Sequence, residues 1–429
     1  MKSQSWLGLP DRRHLPRREA LAWAVPAVLA TYILAVTNNW NVPVGSGVAY
    51  WPTWLGLTIA GLTAAVVAAR LFRNAEPWPR PLEVAAIVAV AAMILTDLTM
   101  TYQPLRDLGI YLKAGHHFLD GTQVYLTAPM TERPADLSNY PFLYPPLTLP
   151  LFAVLAELPA PVAQAVWVAG SVSLVLAALR IFGLPWCWTI PAILWPPIFQ
   201  GLWVGNVAPA ALVLFALGPW LGAGLVAGAV FKSYTGIAAL WLVKERRWSA
   251  VAWGVAGVAG IALLTLPLTG LDVWRAWLEG LRQYQASQAF VPVLYGFGLP
   301  RFVPFWVFAG LACLAIVVAL LRPGREGLAR LGTATIVASP SLWGHGLLVA
   351  IPSMLTLGAP WLWLAIGSTS VPDGLQWWTA IGLIVASWLV PWFRRPIGGA
   401  TAVAAVGDEP FHPLRPGTGA WPGKELGEV

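Results

Sequence analysis

Charge is the scarcest commodity in this chain. Only 10% of its 429 residues are Asp, Glu, Lys or Arg, where a soluble globular protein carries about 25%. That is too little to cover a soluble surface. Disorder is excluded by the same composition, because a disordered chain is poor in apolar residues and rich in net charge. Cysteine is nearly absent. Cys187 and Cys313 both lie in apolar runs, which rules out a disulfide framework. Histidine is also sparse. His116 and His117 are adjacent and point different ways on a helix, so they lack the spacing of a metal pair. No metal and no cofactor are expected. No internal repeat of short fixed period is present. The first apolar segment has a basic flank but no small-x-small cleavage site before the polar stretch Thr37-Asn38-Asn39-Trp40, so it reads as a retained helix.

What the chain has in abundance is apolar surface. Apolar residues make up 58% of it, and 26 are Trp. Trp favours the membrane–water interface, where one end of the ring is apolar and the other wet. The composition predicts an all-α, polytopic membrane protein. Uncharged stretches occur at 20–69, 84–96, 158–179, 181–231, 248–271, 302–321, 331–372 and 374–393. A span takes roughly 20 residues, so the longest of these must fold back. The stretch 20–69 divides at the polar segment 37–52 into two helices. The stretch 181–231 holds six prolines and predicts two or three short or broken helices, a form tolerated at membrane depth only inside protein or beside a cavity. The length rule gives about 12–14 transmembrane helices.

The basic residues fix an orientation. Clusters at Lys2–Arg18, Arg70–Arg80, Lys244–Arg247, Arg322–Arg330 and Arg394–Arg395, with Arg415 and Lys424, place 18 of the 26 on one side. Seven fall on the other: Arg106, Lys113, Arg133, Arg180, Arg275, Arg282 and Arg301. Lys232 remains within a span. The positive-inside rule makes the first side cytoplasmic, and the net charge of +7 is then explained by topology, with no basic stripe left for nucleic acid. The expected layout is a basic cytoplasmic N-terminus at 1–19, two additional transmembrane helices at 20–81, a main membrane domain at 82–393 and a cytoplasmic Gly/Pro-rich tail at 394–429. The localisation is the cell membrane, with membrane lipid as a partner.

Two hydrophilic segments are expected on the outer face. In 101–144, the spacing of Leu105, Leu108, Tyr111 and Leu112 predicts an amphipathic helix over 104–119 lying on the membrane surface, closed by the turn Asp120-Gly121. In 270–301, Asp272, Trp274, Trp277, Glu279, Arg282 and Tyr284 are spaced like a second such helix. A shorter external point, 339–346, contains His345. Carboxylates beside aromatic rings suit sugars, since the acid handles hydroxyl protons and the rings stack on the sugar's CH face.

The runs Arg106-Asp107-Leu108-Gly109-Ile110-Tyr111, Gly121-Thr122-Gln123-Val124-Tyr125 and Tyr144-Pro145-Pro146-Leu147 together resemble glycosyltransferase family 87. Further along, Gly205-Asn206, Phe231-Lys232-Ser233-Tyr234 and Ser339-Pro340…Trp343-Gly344-His345 are similar to its later motifs. Asn206 stands where the family often has Gln, Ser233 where it often has Pro, and Gly346 where a second His is common. The resemblance spans about 82–392. It implies the GT-C superfamily bundle of multi-span enzymes, which use polyprenyl-phosphate sugars.

The implied activity is transfer of a sugar, most simply mannose, to a lipid-linked or cell-envelope glycan, with inversion. Asp107 is the candidate base, and Asp97 is its nearest competitor. A solvated, loop-borne Asp107 would tolerate replacement at little cost in stability. His345 could orient the acceptor, share the base role or meet the donor phosphate. Lys232 in an apolar run costs roughly 2.5–3.5 kcal/mol at a helix centre, so it should face a cavity or an anion; Arg282 and Arg301 are alternative phosphate ligands. Tyr111, Tyr144 and Asn206 complete the expected substrate-binding set. A multi-span transporter or flippase is the rival reading; such proteins often show broken helices in both halves, and only one such zone is clear here.

Overall fold

The computed structural model describes residues 104–134, 139–184, 189, 192–193, 195–369 and 374–390. The expected cytoplasmic N-terminus, the two additional helices at 20–81, Asp97 and the tail at 394–429 lie outside the described residues. Among the described residues the chain is all-helical, and its one β-type pairing is an isolated bridge between Gly296 and Leu342.

Helix α1 is Arg106–Leu119. It buries Leu108 and Tyr111 of the expected apolar set together with Ile110 and Ala114, while Leu105 and Leu112 are partly buried, and it ends at Asp120 followed by Gly121 at φ +64°. The chain re-enters the bundle at Tyr144-Pro145-Pro146. A 3-10 turn at Pro146–Thr148 leads into α2, Leu149–Ala156. Proline suits this first turn because its missing N–H would have no partner there. At eight residues, α2 rises only about 12 Å and cannot cross a bilayer.

Helix α3, Ala160–Ile181, can. Its Trp167 indole donates to the Gly205 carbonyl at 2.9 Å, beside Asn206, and the helix runs roughly 20 Å further to Arg180. The structure therefore departs from the sequence expectation at Arg180. Because α2 is too short to cross, α3 carries this arginine to the end of the bundle remote from Asn206.

The proline-rich zone is broken as expected. Helices α4 (Pro196–Trp203), α5 (Ala208–Leu217) and α6 (Ala223–Phe231) are all short. The bend between α4 and α5 centres on Gly205, whose φ of +72° suits a residue without a Cβ. From α6 the chain turns at Lys232, passes through a 3-10 stretch at Ser233–Ala239 and returns along α7, Leu240–Lys244. Thr235 closes this hairpin by donating its backbone N–H and its hydroxyl to the Lys232 carbonyl.

Helix α8, Trp248–Phe290, is two helices joined at Gly270, where φ is +69° and ψ 159°. Pro267 precedes the break. The first part is apolar and largely exposed, as a lipid-facing span would be. The second is the amphipathic segment expected in 270–301. Its Trp277 indole donates to the Leu143 carbonyl at 3.1 Å, and its Ser287 hydroxyl accepts the Met130 N–H at 2.7 Å. It thus lies over the loop that follows α1.

Helices α9 (Phe305–Leu320) and α10 (Gly324–Val337) form the next pair. The loop at 338–343 then reverses the chain into a 3-10 segment at Gly344–Ala350, α11 (Ile351–Met354), α12 (Ala359–Thr369) and α13 (Trp377–Leu389). Helix α10 is the buried centre of the bundle. It begins well before the uncharged stretch at 331–372, and it takes Arg330 inside, 4% exposed, paired with Glu326 at 2.6 Å. Arg330 is therefore not part of a surface cluster, as its place in the sequence suggested. A neutralised pair four residues apart is what allows the arginine there.

Against the expected 12–14 spans, the described residues contain two helices long and apolar enough to cross a bilayer, Ala160–Ile181 and the first part of Trp248–Phe290. Among the shorter apolar helices, Ala208–Leu217 follows the bend at Gly205 and Gly344–Met354 follows the reversal at 338–343.

Candidate functional site

Three chain reversals converge on the first turn of α1. They are the bend at Gly205-Asn206, the hairpin tip at Lys232, and the loop that delivers His345. Two backbone hydrogen bonds pin α1 to this place: the N–H groups of Leu105 and Asp107 donate to the carbonyls of Trp203 and Val204, both at 2.7 Å. Leu105 takes φ +52° to make that junction, uncommon for a side chain of its size.

Asp107 is 7% exposed, so it is not a solvated loop residue. Its Oδ1 accepts from Arg106 Nε, and the Arg106 Nη2 lies 2.8 Å from the same oxygen. Its Oδ2 accepts from Asn206 Nδ2 at 2.6 Å. The Asn206 amide cannot face the other way, because its Oδ1 already accepts the Ala208 N–H at 2.9 Å at the start of α5. A carboxylate offers about four lone-pair sites, so Asp107 retains capacity to accept a proton while held in place. Its burial overturns the expectation of a loop residue cheap to replace. Removing its charge would leave the Arg106 guanidinium, 13% exposed, uncompensated, a cost of roughly 3–5 kcal/mol for breaking a buried pair.

Lys232 stands in extended backbone (φ −147°, ψ 106°) at the end of α6 rather than within a helix. The hairpin thus carries its ammonium out of the apolar run and into Coulombic range of Asp107. The ammonium also sits 5.7 Å from the centre of the Tyr234 ring. His345 is 6% exposed, and its Nδ1 has no hydrogen-bond partner among the described residues. Lys232 and Arg106 both act on it electrostatically. The cluster therefore holds two fixed cations, one carboxylate and a buried imidazole with an open nitrogen.

Beneath it lies an aromatic layer. Tyr111 and Tyr144 share a hydrogen bond at 3.0 Å, and the Tyr125 hydroxyl donates to the Tyr144 carbonyl at 2.9 Å. Tyr111 packs on Phe142, Phe152 and Trp167 with ring centres 4.9–6.4 Å apart. Burial pushes the phenol of Tyr111 up, and Tyr144 and Asp107 add to the effect; burial likewise raises Tyr144. Both remain protonated donors. Tyr111 is 2% exposed and supports the site from below, whereas Tyr144 is only half-buried.

The structure brings Asp107, Asn206, Lys232, His345, Tyr111 and Tyr144 together. It does not bring Arg282 or Arg301 with them. Arg282 is exposed on α8 and paired with Glu279 at 3.2 Å. Arg301 donates to the Gly296 carbonyl at 2.8 Å and covers the rings of Phe297 and Phe302. Two contributors escaped the sequence reading as site residues. Arg106 was legible, since it adjoins Asp107. Gln200 was not. Its Oε1 accepts the backbone N–H of His345 at 3.1 Å, and a Cβ on Gly344 would lie 2.2 Å from that oxygen, so the contact requires glycine at 344. Nothing in the local sequence of α4 signals this link across 145 residues. Among the described residues no three His, Cys, Asp or Glu side chains are grouped to hold a metal ion.

Residues 142–342 match the sequence model of glycosyltransferase family 87. The match contains Tyr144, Asn206 and Lys232, while Asp107 and His345 flank it. It indicates a glycosyltransferase of a membrane-associated family, is consistent with the GT-C superfamily and does not favour the transporter alternative. No curated protein and no solved structure matches the chain.

Proposed function

We propose that the family 87 region and the cluster around Asp107 form a polytopic GT-C glycosyltransferase of the cell membrane. It transfers a sugar, mannose in the simplest case, from a polyprenyl-phosphate donor to a lipid-linked or cell-envelope glycan on the outer face. The observation that carries this is the composition of the cluster: a buried carboxylate held between Arg106 and Asn206, beside Lys232 and an imidazole with an open nitrogen.

In this mechanism the acceptor hydroxyl attacks the anomeric carbon. The bond from that carbon to the phosphate oxygen breaks, and polyprenyl phosphate leaves with the bonding electrons. Attack from the face opposite the phosphate inverts the centre. Asp107 takes the hydroxyl proton. The phosphate is already a good leaving group, so no second acid is required. Lys232 offsets its charge, an interaction that strengthens in a site with little water. His345 orients the acceptor through Nδ1. Tyr144 lines the floor with its ring.

The test is transfer from polyprenyl-phosphate mannose to envelope glycolipids, measured with purified protein in lipid and read by mass spectrometry. Product that depends on Asp107 supports the proposal. Transfer from a nucleotide sugar alone, or product formation untouched by Asp107→Asn, refutes it.

A further inference from the structure

Two basic loops, far apart in sequence, meet at the end of the bundle remote from Asp107. The first part of α8 separates the ends, rising roughly 33 Å between Trp248 and Gly270. One segment, 244–247, runs from the last residue of α7 to α8; the other, 322–325, runs from the end of α9 into the first turn of α10. Lys244 Nζ donates to the Arg322 carbonyl, the Gly324 N–H donates to Glu245 Oε1 at 2.9 Å, and the Trp241 indole donates to the Gly324 carbonyl at 2.8 Å. The two loops are therefore one surface.

That surface is strongly cationic. Lys244, Arg246, Arg247, Arg322 and Arg325 face one local carboxylate, Glu245, while Glu326 is engaged by Arg330. Two of the arginines are fastened to aromatic rings. Arg247 lies 5.3 Å from the Trp241 ring and donates to the Pro219 carbonyl at 2.9 Å, and Arg325 lies 5.0 Å from the Trp220 ring. Arg246 and Arg322 are different. Both are exposed and neither has an ion pair among the described residues. Arg246 also adopts φ +55°, a conformation that costs a non-glycine residue free energy. Trp220 and Trp248 stand exposed at the rim, 44% and 59%.

The remote arginines of α8 provide the contrast, since Arg275 and Arg282 are each paired with an acid three residues earlier.

We propose that the joined loops bind the phosphate headgroup of an anionic membrane lipid, with Arg246 and Arg322 as its ligands. Lys244 adds a third positive charge, and Trp220 and Trp248 flank the glycerol and upper acyl region. The occupant is a lipid because the surface adjoins the end of a span and is edged by indoles, the side chains that favour that depth. Juxtamembrane basic clusters attract anionic lipids, and here the fold converts two such clusters into one site with two unpaired arginines.

The test uses full-length protein purified in detergent, offered equimolar phosphatidylglycerol and phosphatidylcholine, with retained lipid counted by native mass spectrometry. Wild type should retain phosphatidylglycerol about tenfold over phosphatidylcholine, saturating at low stoichiometry. Arg246→Gln/Arg322→Gln should abolish the preference and Arg246→Lys/Arg322→Lys should restore most of it. Arg133→Gln/Arg275→Gln, which removes as much charge elsewhere, should leave it unchanged. All variants are exposed substitutions, and their melting curves verify folding. Equal retention of both lipids by wild type overturns the proposal. So does an undiminished preference in the Gln pair, or its loss in the Arg133/Arg275 control. Displacement of the lipid by inorganic phosphate at constant ionic strength would assign the site to a soluble phosphate and overturn the lipid as occupant.

Discussion

Helix α1 and the second part of α8 lie against the same loop, and both were expected to supply substrate ligands, yet they carry charge in opposite ways. On α8, Asp272 with Arg275 and Glu279 with Arg282 are pairs three residues apart on an exposed face. The Glu279 carboxyl is held below its usual range by hydrogen bonds from Gln283 and Arg282, but exposed pairs of this kind contribute little. On α1, Arg106 and Asp107 are adjacent; Asp107 is buried and the Arg106 side chain is mostly so. Their partners come from Asn206, Lys232 and His345, which lie 99 to 239 positions further along the chain. Locally paired, exposed charge wets a helix. Buried charge assembled from four segments, with a cation in excess, is costly enough to require a reason. The contrast can be tested by removing one group from each set.

The largest effect should come from Asp107. Asp107→Asn keeps the shape and removes the base, and a positioned base contributes about 10²–10⁴-fold. The buried Arg106 then lacks its counter-charge, so stability should fall too. The double variant Arg106→Gln/Asp107→Asn separates the two effects. It should recover much of the lost melting temperature while transfer remains down by the same order. If transfer recovers together with stability, Asp107 is a structural ion-pair partner and the contrast with α8 collapses. Next comes Lys232→Met. A hydrogen bond to a charged group contributes about 1.5–3 kcal/mol, so the apparent KM for the polyprenyl-phosphate donor should rise about 10–100-fold, with the KM for acceptor nearly constant. Unchanged donor dependence would reduce Lys232 to a hairpin-tip residue that reaches water.

How much of this could be read beforehand depends on the range of the forces involved. The amphipathic spacing of 104–119, the turn at Asp120-Gly121, the start at Tyr144-Pro145-Pro146 and the broken zone of 181–231 are local patterns, and each appears in the fold. Asp107, Lys232 and His345 could be singled out because each is a polar group in an apolar or motif-bearing context. Their mutual geometry could not, since it rests on where the reversals at Gly205, Lys232 and 338–343 leave the chain. Those reversals also explain why several apolar stretches form only short helices among the described residues. An apolar stretch about long enough to cross once can instead turn midway, as 223–244 does at Lys232. Arg180 and Arg330 were misplaced for the same reason: charge-free windows do not show where a helix starts. Gln200 was missed because a backbone-accepting amide has no sequence signature.

Gln200 gives the next prediction. Gln200→Leu leaves the buried His345 N–H without an acceptor, at a cost of about 1–3 kcal/mol. The loop bearing His345 should shift, and kcat should fall about tenfold while the donor KM stays near its original value. Gln200→Glu retains an acceptor oxygen at the same reach and should recover most of the rate. A rise in donor KM with kcat intact would place Gln200 in donor binding instead of in the positioning of His345.

The smallest effect belongs to Arg282, and it tests the other half of the comparison. Its guanidinium is 78% exposed and its partner Glu279 is 46% exposed. An exposed pair of this type contributes little, and salt screens what remains. Arg282→Gln should therefore change the melting temperature by no more than a degree or two. Donor KM and kcat should stay within about twofold of wild type, because no site group is in contact with it. The sequence reading had put Lys232, within a span, first for the donor phosphate and Arg282, in an outer loop, as an alternative. The fold separates them by giving Arg282 a local acid and Lys232 a remote one. A tenfold rise in donor KM for Arg282→Gln, with stability unchanged, would mean that α8 swings its exposed face onto the donor during turnover. The amphipathic helix would then be a moving part of the site, and local pairing would no longer distinguish a wetting charge from a working one.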